Sequence, residues 1–506
     1  MGAVSAGRRV GRDFIITLAG SAMNGLQGIV VLPIMIRIAG EATYGAYTLL
    51  ISLLGLWIAF IGYGIPYRYQ RNLVSAKTLA ERRALFEPQF TFQLLMVALA
   101  SAAILIAGRR LETWIFGDMT HFTPAFLAAV LFSNLLCRQS QDYFRYTQRF
   151  LPLSISSASA TYVFVAILVA VALLTQELSL DTLLLLQAVT YLVISLPLLA
   201  VLLRELGLPR LKLPFRTLME DIHVAWPLSV ELVIDYALRF ADRYVILLYL
   251  SVADVGRYQP AYALATVVMM LPTLIDIILV PALSRLVDLG ERAEAERLLA
   301  IFLRLFLMFA TPFAVGALMM GPTILGLLAS PEIGEASRWV SPLMAVASIF
   351  LGIMRLASLV AFVMGRTRTI LGASLLGAIL NIALNVAVLA FVRDIAVPAA
   401  SALVGYVAAA VYTVLALRPV WRIAFEWGAI ARYCVAAAAM GLLLWVIGYP
   451  PGTVVSINPF LLAAMLAVGG VTYFAALTAV GGFGRREINQ IGNLLRRQDR
   501  GAGQAA

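Results

Sequence analysis

Fourteen runs of about twenty mostly apolar residues follow one another along this chain, and that pattern leaves few folds open. They lie near 14–38, 44–67, 88–108, 121–140, 151–174, 180–203, 224–250, 255–283, 297–321, 338–363, 369–392, 395–417, 429–448 and 458–481. A helix of about 20 residues crosses about 30 Å of hydrocarbon. The runs lack the alternation of strands, and an open sheet would leave its edges unpaired in lipid. Only 13% of the residues are charged, against about a quarter in a soluble domain. Mean hydropathy is +0.92. The expected fold is all-α and integral to a membrane. The first run follows Arg8, Arg9 and Arg12 and exceeds a signal-peptide core in length, so it reads as a span.

The net charge of +11 does not point to nucleic acid, because the basic residues sit in short clusters between the apolar runs. With the N-terminus in the cytoplasm, 29 of the 38 Lys and Arg fall in inside segments and six in outside loops. Arg239, Arg243 and Arg355 complete the set, within spans. This bias predicts an even number of spans with both termini cytoplasmic. Cys137 and Cys434 are too few and too far apart for a disulfide framework. His121 and His223 are isolated, and no metal or phosphate-loop motif appears. No metal, cofactor or catalytic residue is expected.

Tyr44-Gly45-Ala46-Tyr47 opens the second run and Val255-Gly256-Arg257-Tyr258 the eighth, 211 residues later. The same shift carries the first run onto the seventh and the next ones near their counterparts. The expectation is two parallel six-helix repeats around a central cavity, a design of transporters. The lobes are 1–213 and 214–418. Two further helices occupy 419–484, and 485–506 is a basic cytoplasmic tail.

The seventh run carries Glu231, Asp235, Arg239, Asp242 and Arg243. At 100° per residue they share about a third of the helix circumference. Such a stripe cannot face lipid and marks a polar interior or a cavity. Asp235 with Arg239 is an i,i+4 pair that would also serve a purely structural network. Other embedded polar residues are Asn24, Gln27, Asp276, Arg355, Asn381 and Asn385. Asn and Gln in spans also serve simply to join helices.

Several motifs then appear in a characteristic order. They are Arg37-Ile-Ala-Gly-Glu-Ala-Thr-Tyr-Gly-Ala-Tyr47, Asp242-Arg243-Tyr244-Val245-Ile246, Val255-Gly256-Arg257-Tyr258, Gly365-Arg366-Thr367-Arg368 and Asn381-Ile-Ala-Leu-Asn385. Over essentially its whole length the chain resembles the polysaccharide-export branch of the multidrug/oligosaccharidyl-lipid/polysaccharide transporter superfamily. That branch includes Wzx-type O-antigen and exopolysaccharide flippases. Helices 13 and 14 depart from a twelve-helix member, though fourteen also occur in the superfamily.

The resemblance implies a bacterial inner-membrane flippase of polyprenyl-pyrophosphate-linked oligosaccharide. Its partners would be that lipid, membrane lipid, and a polysaccharide polymerase with its chain-length machinery. Arg239, Arg243 and Arg355 would hold phosphate; Asn24, Gln27, Asn381 and Asn385 would meet sugar hydroxyls. Glu231, Asp235, Asp242 and Asp276 would couple ions or pair internally. Two alternatives stand beside this: a cation-coupled small-molecule exporter, and a non-transporting partner in an envelope assembly.

Overall fold

The computed structural model describes residues 31–63, 78–117, 121–147, 149–212 and 215–482, with Tyr69, Leu73 and Ala76. Among them there are helices, turns and no strand, so the fold is all-α. The greater part of the first expected span lies outside the described residues, as do Asn24, Gln27 and the basic tail. Its described end turns π-helical at Met35–Ala39 and stops at Gly40.

Fifteen α-helices are described. The described residues up to Gly256 form one compact unit, and those from Arg257 onward a second. The first unit holds α1 (Glu41–Tyr63), α2 (Leu79–Phe116), α3 (Pro124–Tyr146), α4 (Phe150–Thr175), α5 (Leu180–Leu206) and α6 (Phe215–Tyr249). α7 (Val252–Thr266) carries the chain across the boundary. The second unit continues with α8 (Met270–Asp288), α9 (Arg292–Leu328), the short α10 (Pro331–Ala336), α11 (Val340–Val363), α12 (Thr367–Leu389), α13 (Ala396–Leu417), α14 (Trp427–Val446) and α15 (Pro459–Ala479).

Every expected run that falls in the described residues is helical. The eighth is broken: a 3-10 turn at Val267–Met269 separates α7 from α8. Pro272 explains the break, because its ring removes one backbone donor and crowds the carbonyl four residues back. Local signals set several starts. Thr78 caps α2 by accepting from the Glu81 amide, Ser179 caps α5 through Thr182, and Asn458 caps α15 through Leu461.

Eleven helices among the described residues are long and apolar enough to cross a membrane. The runs expected at 121–140 and 224–250 form α3 and α6, of 23 and 35 residues. Their length suffices, but polar side chains keep them out of that apolar set. Fourteen spans therefore stays an expectation. Ile106, Trp114, Phe391 and Phe460 are each more than 80% exposed. Large apolar side chains displayed in this way face lipid, in a multi-pass membrane protein.

In the first unit α3 packs on α5 and α2, and α1 packs on α6. One core gathers Tyr69, Phe86, Tyr143, Phe144 and Leu202. A second joins Met35, Phe164, Leu168, Leu183 and Leu186, with Tyr44 and Tyr47 against it. In the second unit α13 lies between α11 and α12, while α9 packs on α14. α15 is tied in by the Tyr473 hydroxyl, which donates to the Met308 carbonyl at 2.6 Å.

Candidate functional site

The charged stripe sits on one unbroken helix, α6, so its five members keep a common face. Asp242 and Arg243 are fully buried. Glu231, Asp235 and Arg239 are part-exposed. Asp235 and Arg239 form an ion pair one turn apart. Arg243 donates from Nη1 to the Arg239 carbonyl at 3.0 Å. Both guanidinium groups lie over the ring of Phe240, at 4.7 Å for Arg243 and 5.8 Å for Arg239. That is cation–π range. Phe240 in turn stacks on Tyr236, with ring centroids 4.3 Å apart. The stripe is thus two cations on an aromatic platform beside carboxylates.

Two tyrosines dock this helix on α1. The Tyr236 hydroxyl donates to the Ser52 carbonyl at 2.5 Å. The Tyr244 hydroxyl lies 2.9 Å from Ser52 Oγ and donates to the Leu49 carbonyl at 3.1 Å. Just beyond, the chain returns to α1 through Gly256, against Gly45. A Cβ on Gly45 would overlap the Val252 carbonyl oxygen, and one on Gly256 would overlap that of Glu41. Only glycine permits so close an approach.

The α1–α6 contact brings Arg243 within electrostatic reach of Tyr44 and Tyr244. Tyr44 neighbours Tyr47, whose hydroxyl donates to Gln187 Oε1 of α5 at 2.7 Å. Tyr191, one turn along α5, interacts with Gln187 and with Asn134 of α3. Sequence reading missed this neutral network. Its signals were faint: Gln187 ends the run Leu183-Leu-Leu-Leu186, and Tyr44 and Tyr47 read only as repeat markers.

Four further candidates belong to the second unit. In the second unit Arg355 of α11 donates from Nε to Asp276 Oδ2 of α8 at 2.8 Å. Asn385 donates to the Asn381 side chain at 3.1 Å, and both residues are fully buried on α12. Asn381 abuts Gly405 of α13, where a Cβ would stand 2.7 Å from the Gly377 carbonyl oxygen. His121 pairs with Glu112 at 2.5 Å. Cys137 is buried and Cys434 exposed, both as free thiols. Among the described residues no group of His, Cys, Asp and Glu is arranged to hold a metal.

Comparison with known proteins adds three findings. Residues 10–287 match the family described as "Polysaccharide biosynthesis protein". No curated protein matches the chain at a significant level. Among solved structures, the chain is similar to "Lipid II flippase MurJ, inward closed conformation". The TM-score is 0.72 at 13% identity, covering 91% of this chain and 98% of that one. It is also similar to an inward-facing "multidrug resistance MATE family transporter of the MOP superfamily". There the TM-score is 0.61 at 12% identity, with 80% and 97% covered. A third likeness is to the Vibrio cholerae MATE transporter VcmN, with TM-score 0.58, 13% identity, and 82% and 98% covered. At such identities the likeness is one of fold.

Proposed function

The chain belongs to the polysaccharide biosynthesis protein family, and on that premise we propose that it is a flippase for polyprenyl-pyrophosphate-linked oligosaccharide. It moves the saccharide headgroup from the cytoplasmic to the outer leaflet of a bacterial inner membrane by alternating access, with both of its termini cytoplasmic. The observation that carries this reading is the pair Arg239 and Arg243 on the Phe240 ring, inside a helix bundle. A pyrophosphate-sugar cannot enter hydrocarbon, and guanidinium matches phosphate oxygens in a bidentate fork. The fold shared with MurJ is compatible with such cargo.

Each candidate takes a role in this proposal. Arg243 and Arg239 receive phosphate, and Asp235 holds Arg239 between cycles. Glu231 and Asp242 set the local charge balance. Arg355 and Asp276 serve each other, and Asn381 and Asn385 serve helix packing. Asn24 and Gln27 remain candidates for sugar contact. We keep the division into six, six and two helices as part of the proposal. A polymerase with its chain-length machinery would consume the flipped product.

A second reading, a cation-coupled exporter of small molecules, is favoured by the shared fold of MATE transporters and by the acidic Glu231 and Asp235. One experiment separates the two. A deletion strain is complemented with wild type, Arg243→Ala or Arg243→Lys, and surface polysaccharide and lipid-linked sugars are measured. Flippase function predicts that the deletion accumulates lipid-linked saccharide and that neither variant restores export at normal protein level. Normal polysaccharide in the deletion, or with Arg243→Ala, would sink the assignment. Altered drug accumulation without a polysaccharide defect would support the exporter.

A further inference from the structure

We propose that Tyr44, Tyr47, Gln187, Tyr191 and Asn134 form a subsite for uncharged sugar hydroxyls, adjoining the Arg243 end of the charged stripe. The proposal rests on the flippase reading and assigns the sugar-binding wall of that site within the first unit.

Three helices contribute. Tyr44 and Tyr47 are three residues apart on α1, and Gln187 and Tyr191 are one turn apart on α5. Each pair therefore shares a face. Asn134 enters from α3. The bond from Tyr47 to Gln187 closes the network across α1 and α5. Tyr191 extends it to Asn134, and Tyr44 lies within electrostatic reach of Tyr47 and Arg243.

The alternative is a polar rivet that merely joins three helices. A rivet would satisfy its own polar atoms, because an unmet acceptor inside a membrane protein is costly. Asn134 is 9% exposed, and its buried Oδ1 accepts no hydrogen bond. Tyr44, Tyr47, Gln187 and Tyr191 meanwhile stay part-exposed. An unmet buried acceptor beside phenols and an amide suits a ligand that brings hydroxyl donors.

The chemistry selects the ligand class. All five groups are neutral, so they offer phosphate little. Three phenol rings supply flat apolar faces and three hydroxyls. Two amides supply both donors and acceptors. A sugar presents C–H faces and hydroxyls, the counterparts of these groups. With cations on one side and phenols and amides on the other, the site reads a phosphate followed directly by a saccharide.

The test uses full-length protein in nanodiscs and two probes. One is a short-chain polyprenyl pyrophosphate; the other is the same lipid carrying a disaccharide. Wild type is expected to bind the sugar-bearing lipid about tenfold more tightly, the worth of one or two net hydrogen bonds. Combining Tyr47→Phe with Gln187→Leu should erase most of that preference and leave binding of the bare lipid unchanged. If the double variant does not fold, Tyr191→Phe alone should lower the preference about threefold. Equal wild-type affinity for both probes, or a preference that survives in folded variants, overturns the subsite while leaving the flippase reading intact. Binding of neither lipid by wild type overturns both.

Discussion

Gly45 and Gly256, 211 residues apart in the chain, meet backbone to backbone. A Cβ on Gly45 would stand 2.8 Å from the Gly256 amide nitrogen and inside the Val252 carbonyl oxygen. The pair fixes where the segment after α6 returns to α1, on which Tyr44 lies within electrostatic reach of Arg243. Gly45→Ala is expected to force the two segments apart. The cost should be about 1–3 kcal/mol of stability, as for other overpacked contacts. Gly470→Ala, on a helical face with open space around it, should be neutral or stabilise by up to about 1 kcal/mol. Thermal unfolding in detergent compares the two, and equal melting temperatures would refute the tight crossing.

Asp235 competes with substrate for Arg239, since the two form an ion pair one turn apart. Asp235→Asn should release that guanidinium and tighten binding of bare polyprenyl pyrophosphate by roughly tenfold. A lost charge-assisted bond is worth about 1.5–3 kcal/mol. Product release should slow in proportion. Unchanged affinity in a direct binding measurement would show that Arg239 does not touch phosphate.

Arg355 and Asp276 should behave as a mutual pair. Arg355→Leu leaves a carboxylate, 19% exposed, without its counter-charge. The side chain of Arg355 is 43% exposed, so water screens the interaction and the loss should be about 1–2 kcal/mol. Adding Asp276→Leu should recover most of it. A double-mutant cycle in unfolding experiments tests this. Additive losses would show that the two residues act separately, as substrate or ion ligands.

Glu87 clamps the connection between α5 and α6. Its side chain is 2% exposed, takes Arg83 at 2.8 Å and Lys212 at 2.9 Å, and also accepts from the Arg210 amide at 3.2 Å. Glu87→Ala should free residues 207–212, with trypsin cutting after Arg210 and Lys212 at least about tenfold faster. That ratio corresponds to about 1.4 kcal/mol of lost protection. Equal cleavage rates would mean that the segment is held by other contacts.

The helices were legible because lipid enforces long apolar runs, and α6's stripe because a 3.6-residue period puts Glu231, Asp235, Arg239, Asp242 and Arg243 on one face. Pairings across helices were not legible. Arg355 called for a carboxylate or an anion, but nothing in the sequence joined it to Asp276, 79 residues away. Asn381 and Asn385 carry the same pattern whether they bind sugar or another helix, and nothing in the sequence shows that Asn381 lies against Gly405 of α13. The tyrosine–amide network escaped notice because neutral residues scattered over α1, α3 and α5 leave no periodic or charge signal. Pro272 allows a kink, but the place of the α7–α8 break was not legible, because an apolar run reads as continuous even where a proline interrupts its hydrogen bonds.

The close seating of α12 on α13 bears on how the protein is made. Asn381 and Asn385 would each oppose insertion of a lone helix into the bilayer. Both are buried where α12 packs on α13, with Asn381 against Gly405. The chain between the two helices is short, 390–395. A nascent chain ending after α12 would therefore hold those amides poorly in lipid, and synthesis of α13 would make the pair acceptable to the membrane together. A short connection and close packing suit insertion of the two helices together, as one hairpin.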